Sequence, residues 1–336
     1  MMITKNLWLK LGLLLSLSGL IIGYFLYNLQ PVDPGGSLKV IKIKEGQGFR
    51  EIGEILYKAG LIRSQKSFNI YTILIGQAEN LRKGVFLLSS ASSTGEIARE
   101  LSRKDARLVT VTLTEGLTVK DMEKKLAYYG VIEEGDLGKI SVSDLVGEFP
   151  FLNKSNSFEG YLFPDTYEFF ISSDPKTVLR KFLTNFEEKA LPILDRLSRE
   201  SFRRKIILAS ILEKEVLLEN DMRIVAGILE KRLKLGMALQ VDATILYTKC
   251  DLDRDCESRG LTKADFEVKS PYNTYLNVGM PTGPISNPGL NSIVAALSPR
   301  NSPYFFYLSN PENKKTIFSV TLDEHNENRF KYLKIY

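Results

Sequence analysis

Two carboxylates, Glu213 and Glu215, lie inside Arg203–Leu218, a stretch that reads as one helix, apolar nearly all round. Positions two apart on a helix point about 200° away from each other, so the pair cannot serve one site. Glu215 falls on the face of Ile207, Ile211 and Leu218. Apolar surroundings raise a carboxyl pKa, which suits a general acid. A helix-surface Glu paired with a nearby Lys or Arg is the competing reading of the same pattern. Other chemistries have few residues to draw on. The single histidine, His325, would have to serve any Ser-His-Asp or Cys-His triad, and a His/Cys zinc site has only His325, Cys250 and Cys256 available. The only S-x-x-K, Ser173-Asp174-Pro175-Lys176, reads as a helix start with Pro in the first turn rather than a Ser-Lys nucleophile. No metal or cofactor is expected.

Polar loops surround this helix in sequence. Phe158-Glu159-Gly160-Tyr161-Leu162-Phe163-Pro164-Asp165-Thr166-Tyr167-Glu168-Phe169 mixes acids with aromatic rings, a composition that suits sugar stacking or, equally, a packed turn. Gln240-Val241-Asp242 and Ser270-Pro271-Tyr272-Asn273-Thr274-Tyr275 pose the same choice. The Pro- and Gly-rich run 279–289 must be a rigid non-helical loop leading into a helix over 290–297.

Upstream, Val40-Ile41-Lys42-Ile43-Lys44-Glu45-Gly46 recurs 70 positions later as Thr110-Val111-Thr112-Leu113-Thr114-Glu115-Gly116, and each copy continues as turn, helix and terminal Gly (Gly60, Gly130). Between them, 84–88 and 94–101 supply a further strand and helix. Strand-helix-helix-strand units of this size resemble carbohydrate-binding LysM modules, although a structural spacer has the same pattern. The amino terminus carries an apolar run, Leu7–Leu29, whose only charge is Lys10. Its charge-free part, Leu11–Tyr27, is 17 residues long, near the lower limit for a bilayer span, and no small-residue cleavage site follows it. Lys5 and Lys10 precede the run, and Tyr24, Phe25 and Tyr27 suit an aromatic belt at its far end, so the positive-inside rule puts residues 1–6 in the cytoplasm. The D-x-D-x-D spacing at 251–255 lacks the Gly and Glu of a calcium loop and reads as a solvated hairpin tip, and in an oxidising compartment Cys250 and Cys256 could close it. The chain carries 45 Lys+Arg against 40 Asp+Glu, and this +5 is too small for a nucleic-acid partner.

In this order, Glu159-Gly-Tyr-Leu-Phe-Pro-Asp-Thr-Tyr, Leu208-Ala-Ser-Ile-Leu-Glu-Lys-Glu, Lys231-Arg-Leu-Lys-Leu-Gly-Met-Ala-Leu-Gln-Val-Asp, Ser270-Pro-Tyr-Asn-Thr-Tyr and Gly283-Pro-Ile-Ser-Asn-Pro-Gly resemble the endolytic murein transglycosylase (YceG-like) family. One departure is Ala243, where the family usually has Pro. The resemblance implies a membrane-anchored lyase that cuts the β-1,4 bond between N-acetylmuramic acid and N-acetylglucosamine inside nascent peptidoglycan strands, leaves 1,6-anhydro ends and so ends glycan elongation. It points to Glu215 as the catalytic acid and then base. Glu159, Tyr161, Asp165, Gln240, Asp242, Asn273, Tyr275 and Asn287 are the expected substrate-binding residues. A non-catalytic peptidoglycan-binding scaffold and a hydrolytic muramidase stand as alternatives. The expected partners are peptidoglycan strands, the membrane through residues 7–29, and proteins of wall synthesis, with everything after the anchor outside the inner membrane. The expected fold is α+β, with an N-terminal transmembrane helix, a small LysM-like α+β module and a mixed α/β catalytic domain rich in helices and ordered loops. Its divisions are a tail over 1–6, the transmembrane helix over 7–29, a linker over 30–37, the module over 38–105, a second strand-helix repeat over 106–158 and the catalytic domain over 159–336.

Overall fold

A computed structural model describes residues 2–44, 46–103, 108–194, 197–252 and 260–333, with side chains described from residue 12 onward except at 251–252. The chain divides into two units. One comprises Met1–Val109, Leu126–Glu133 and Glu168–Ser173, and the other Thr110–Lys125, Glu134–Tyr167 and Asp174–Tyr336.

In the first unit, helix α1 spans Met2–Asn28. The side chains of residues 7–11, the start of the expected anchor, lie outside the described set, and among the described residues no helix is long and apolar enough to cross a membrane. Arg63 ties the end of α1 to the linker. Its Nε and Nη2 donate to the Pro31 carbonyl at 3.0 and 2.7 Å, and its Nη1 donates to the Tyr27 hydroxyl at 3.0 Å. Beyond the linker come β1 (Leu38–Ile43), α2 (Phe49–Lys58), α3 (Gln65–Leu74), β2 (Gly84–Ser89) and α4 (Thr94–Ser102). β1 and β2 pair antiparallel from Leu38↔Ser89 to Ile43↔Gly84. Strand alternation turns Ile41, Ile43, Phe86 and Leu88 inward onto Ile52, Leu56, Phe68 and Leu101, closing a small core. Ser64 caps α3, and Ser93 with Glu96 forms a capping box that starts α4.

The second copy of the repeat folds like the first, as β3 (Leu108–Leu113), a turn, α5 (Val119–Tyr128) and Gly130 at φ 70°, against φ 64° at Gly60. β3 pairs with β4 (Asp165–Phe170).

The second unit is mostly helical, with α6 (Pro175–Lys189), α7 (Leu191–Leu194), α8 (Arg199–Glu215), α9 (Glu219–Lys234), α10 (Asp242–Leu252) and α11 (Leu290–Leu297). The hairpin β5 (Phe306–Ser309) and β6 (Thr316–Ser319) and helix α12 (Leu322–Leu333) complete it. As expected of a helix apolar nearly all round, α8 is central. Phe202 and the whole run 206–212 are buried, and α11 and α9 pack against it. It ends earlier than the sequence suggests. Val216 is extended at φ −140° and ψ 135°, and Leu218 is the N-cap of α9. Leu218 therefore shares no helical face with Glu215. Asp174 caps α6 with Pro175 in its first turn, and α11 begins at the close of the Pro/Gly loop. Asp251 and Leu252 complete α10 instead of starting a hairpin tip. Cys250 is disulfide-bonded, whereas Cys256 and the rest of 253–259 lie outside the described residues.

Candidate active site

Ending α8 at Glu215 frees its carboxyl from the helix barrel and turns it toward two other elements. Oε1 accepts a hydrogen bond from the Ala243 N–H in the first turn of α10, at 3.4 Å. A proline at 243 could not supply that donor. The Tyr307 hydroxyl on β5 donates to the same carboxyl, and Ser309 Oγ donates to the Glu215 carbonyl at 3.1 Å. Burial pushes the Glu215 pKa up to about 7, the negative charge of Asp242 adds to the rise, and the bonds from Tyr307 and Ala243 oppose it. The group is therefore divided between its protonated and ionised forms near neutral pH and can give up and take back a proton without large cost. Tyr307 in turn titrates well above the usual tyrosine range, first through burial and then through the Glu215 charge.

Asp242 is exposed and accepts a hydrogen bond from the Tyr275 hydroxyl. Burial followed by the Asp242 contact drives the Tyr275 pKa upward, so the phenol stays a donor. The preceding turn is braced from below. Gln240 takes a left-handed backbone at φ 54°, its N–H donates to the Thr274 carbonyl at 3.1 Å, and Thr274 Oγ1 accepts from Val241 N–H at 3.0 Å. Its side chain is exposed beside Asp242 in sequence. The buried Arg232 holds the two sides together. Its Nε donates to the Phe305 carbonyl at 2.9 Å and its Nη1 to the Leu239 carbonyl at 2.7 Å, which fixes the approach to both Tyr307 and Asp242.

Glu213 does different work, as its opposite bearing requires. Its Oε2 accepts from the Gly289 N–H at 2.8 Å, fastening the Pro/Gly loop to α8, and burial raises its pKa.

The remaining expected sugar contacts are not in the Glu215 cluster. Glu159 is 4% exposed, accepts from Val119 N–H at 3.2 Å, from Asn287 Nδ2 at 2.9 Å and from the Tyr247 hydroxyl at 3.4 Å. Burial, reinforced by the Asp121 charge, lifts its pKa to about 8 against the Val119 and Tyr247 bonds and the nearby Lys214. Asn287 is fully buried and accepts from the Gly160 and Leu162 N–H groups, both at 2.9 Å. Tyr161 is a core residue, 1% exposed among Phe151, Phe186 and Phe202. Asn273 is buried and spends its amide on the Phe266 and Val268 carbonyls and its oxygen on Tyr275 N–H. Asp165 is bonded to Lys189 and Asn185, which hold its pKa down to about 2. Glu159, Asn287, Tyr161 and Asn273 are thus buried, and the Asp165 carboxylate is already engaged. Glu159, Asn273 and Asn287 brace loops, Asp165 ties β4 to α6, and Tyr161 fills the core. Gly160 shows how tight the bracing is, because at φ 89° an added Cβ would stand 2.5 Å from Pro284 Cγ and 2.9 Å from Ile206 Cγ2.

Two contributors were not singled out from sequence. Arg232 carried a signal, since it continues the buried stripe Val225, Ile228, Leu229 of α9 at helical spacing, a place where a cation needs internal partners. Tyr307 carried none, because only the tertiary fold brings it to Glu215.

Beside this cluster, a cavity of about 960 Å³ is lined by residues of α5, the 137–143 and 155–159 segments, Lys214 and the start of α10. Ala243, the donor to Glu215, is on its wall.

Comparison with known proteins agrees with this arrangement of motifs. The model of the YceG-like family matches residues 41–331. An endolytic murein transglycosylase of Bacillus subtilis (strain 168) is 32% identical, over 93% of this chain and 90% of that protein. The endolytic murein transglycosylase of Streptococcus pneumoniae serotype 2 (strain D39 / NCTC 7466) is 26% identical over 91% of this chain, which spans 60% of that longer protein. Among solved structures, a yceG-like protein of Listeria monocytogenes matches with a TM-score of 0.60 at 29% identity, covering 88% of this chain and all of that one. Matched by the family model from residue 41 to 331, and by the Bacillus protein over nearly its whole length, the chain belongs to the YceG-like family.

Proposed function

We propose that this chain is an endolytic lytic transglycosylase of peptidoglycan in which Glu215 is the single acid and base. The observation that carries the reading is a carboxyl at a helix end, held near pKa 7 by burial and by Asp242, and met by donors from Ala243 and Tyr307. Ordinary glycosidases divide the work between two carboxylates. Here the substrate's C6 hydroxyl replaces the second. Glu215 protonates O4 of the leaving N-acetylglucosamine as the C1–O4 bond breaks. The C6 oxygen bonds to C1 of the muramoyl sugar and its proton passes to the Glu215 carboxylate, which restores the acid. The products are a 1,6-anhydro end and a shortened strand, with no water consumed. Cutting inside nascent strands would limit their length. Asp242, fixed by Tyr275, favours the protonated start and stabilises positive charge developing at C1, and Gln240 and Asp242 face the sugar.

Asp242 also supports a second reading, a hydrolytic muramidase, because a carboxylate beside the acid could activate water. Mass spectrometry of digested glycan strands separates the two, since anhydro ends are lighter than reducing ends by one water. Wild type is expected to give anhydro ends and Glu215→Gln none. Retained anhydro products in that variant, with loss on changing Glu213, would sink the assignment, and wild-type protein that binds strands yet makes neither anhydro nor new reducing ends would favour a binding scaffold. Helix α1 and the run 7–29 are proposed as the membrane anchor, with residues 1–6 cytoplasmic, and the β1-α2-α3-β2 unit as a LysM-like glycan contact beyond it.

A further inference from the structure

We infer that the cavity beside Glu215 receives the short carboxylate-bearing peptide that the muramoyl sugar carries, an inference that rests on the transglycosylase reading. At about 960 Å³ it has the volume of a site for a ligand larger than one sugar ring. Its cations are Lys120 and Lys124, one helical turn apart on α5, and Lys214, the neighbour of Glu215 in the chain. Two are pre-positioned, Lys120 Nζ by the Cys250 carbonyl at 3.2 Å and Lys214 Nζ by the Gly116 carbonyl at 3.3 Å. Lys124 has no ion-pair partner among the described residues.

The acids on the same wall offset part of this charge and are held by donors of their own. Glu123 is 8% exposed and accepts from Leu137 N–H at 2.7 Å. Asp121 is bound to Thr118 in the cap of α5. Glu159 keeps its proton at neutral pH. The three ammonium groups share this wall with the hydroxyls of Ser141, Ser143 and Ser157, a set of donors that suits carboxylates and peptide amides. It does not suit a sugar ring. Tyr247 is engaged with Tyr272 at 4.9 Å and bonded to Glu159, whereas Tyr275 and Tyr307 belong to the Glu215–Asp242 side. Ala243 joins the two regions, so a sugar reacting at Glu215 would hold its appended peptide within reach of the lysines.

The test compares glycan strands bearing their peptides with strands stripped by an amidase, using the full chain and the variants Lys124→Glu and Lys124→Gln. Losing one charge-assisted contact should lower the ratio of kcat/KM on peptide-bearing to stripped strands about tenfold in Lys124→Glu, and less in Lys124→Gln. An unchanged ratio overturns the proposal. A second measurement does not depend on turnover. Titration calorimetry of the alanyl-γ-glutamyl-lysyl-alanyl-alanine pentapeptide into Glu215→Gln protein should show binding that weakens about tenfold when Lys124→Glu is added. No binding, or equal binding in both proteins, overturns the peptide site. Wild type making no anhydro ends from either substrate would refute the transglycosylase reading instead, leaving the calorimetry to decide the cavity.

Discussion

Replacing Tyr307 by Phe removes one hydroxyl from the Glu215 carboxyl and little else. The hydroxyl donates to that carboxyl and favours its ionised form, opposing burial and the charge of Asp242. A hydrogen bond to a charged group contributes about 1.5–3 kcal/mol. At 1.36 kcal/mol per pKa unit, its loss should raise the Glu215 pKa by roughly one to two units from about 7. A general acid must start protonated, so the rate falls as pH rises through its pKa. The assay is the pH profile of kcat/KM for anhydro-end formation from purified strands. Wild type should lose activity through about pH 7, and Tyr307→Phe should move that alkaline limb upward by about one unit or more. The ring is retained and Arg232 still holds the neighbouring Phe305 carbonyl, so the hairpin should keep its place. An alkaline limb that stays put, or shifts to lower pH, in a variant that melts like wild type would refute the claim that Tyr307 sets the acid.

Glu159 makes a separate prediction about stability. Its folded pKa of about 8 lies above the usual 4.5, so the folded chain holds a proton that the unfolded chain has lost between those values, and stability must fall as pH rises through that window. Glu159→Gln should flatten the decline of unfolding free energy between pH 5 and 8.5 by an amount on the order of a few kcal/mol, and equal slopes in both proteins would contradict it. The proposed anchor is checked by expressing the full chain and extracting membranes with alkaline carbonate. The protein should stay in the pellet, with its carboxyl-terminal part open to protease from outside, and release into the carbonate wash counts against the span.

The loop over 279–289 and the helix start at Asp174-Pro175 rest on local signals, and the structure follows both. Pro and Gly over 279–289 fix a loop and free α11 to begin at Leu290, and Asp174-Pro175 starts α6, because each depends on backbone restrictions of the residues themselves. The end of α8 had no such mark. Glu-Val-Leu-Leu contains no Gly or Pro, so its pattern runs on to Leu218, whereas tertiary contacts turn the chain at Val216. The aromatic run 158–169 shows the opposite limit. Phe158, Tyr161, Phe163, Tyr167 and Phe169 are all 6% exposed or less, and composition alone does not distinguish a stacking platform from rings packed inward.

The two carboxylates of α8 divide structure from chemistry. Helical geometry alone says that Glu213 and Glu215 face apart, and the structure gives each a separate partner. Glu213 holds Gly289, and with it the loop that presents Asn287 to Gly160, Leu162 and Glu159. Glu215 stands where the helix stops, so its carboxyl can meet an amide from α10 and a phenol from β5. One acid secures the scaffold from a bearing that the other cannot reach. The same helix therefore fixes the loops through Glu213 and presents Glu215 at its end, where the proposed reaction with the substrate's own hydroxyl would use it as the one acid and base.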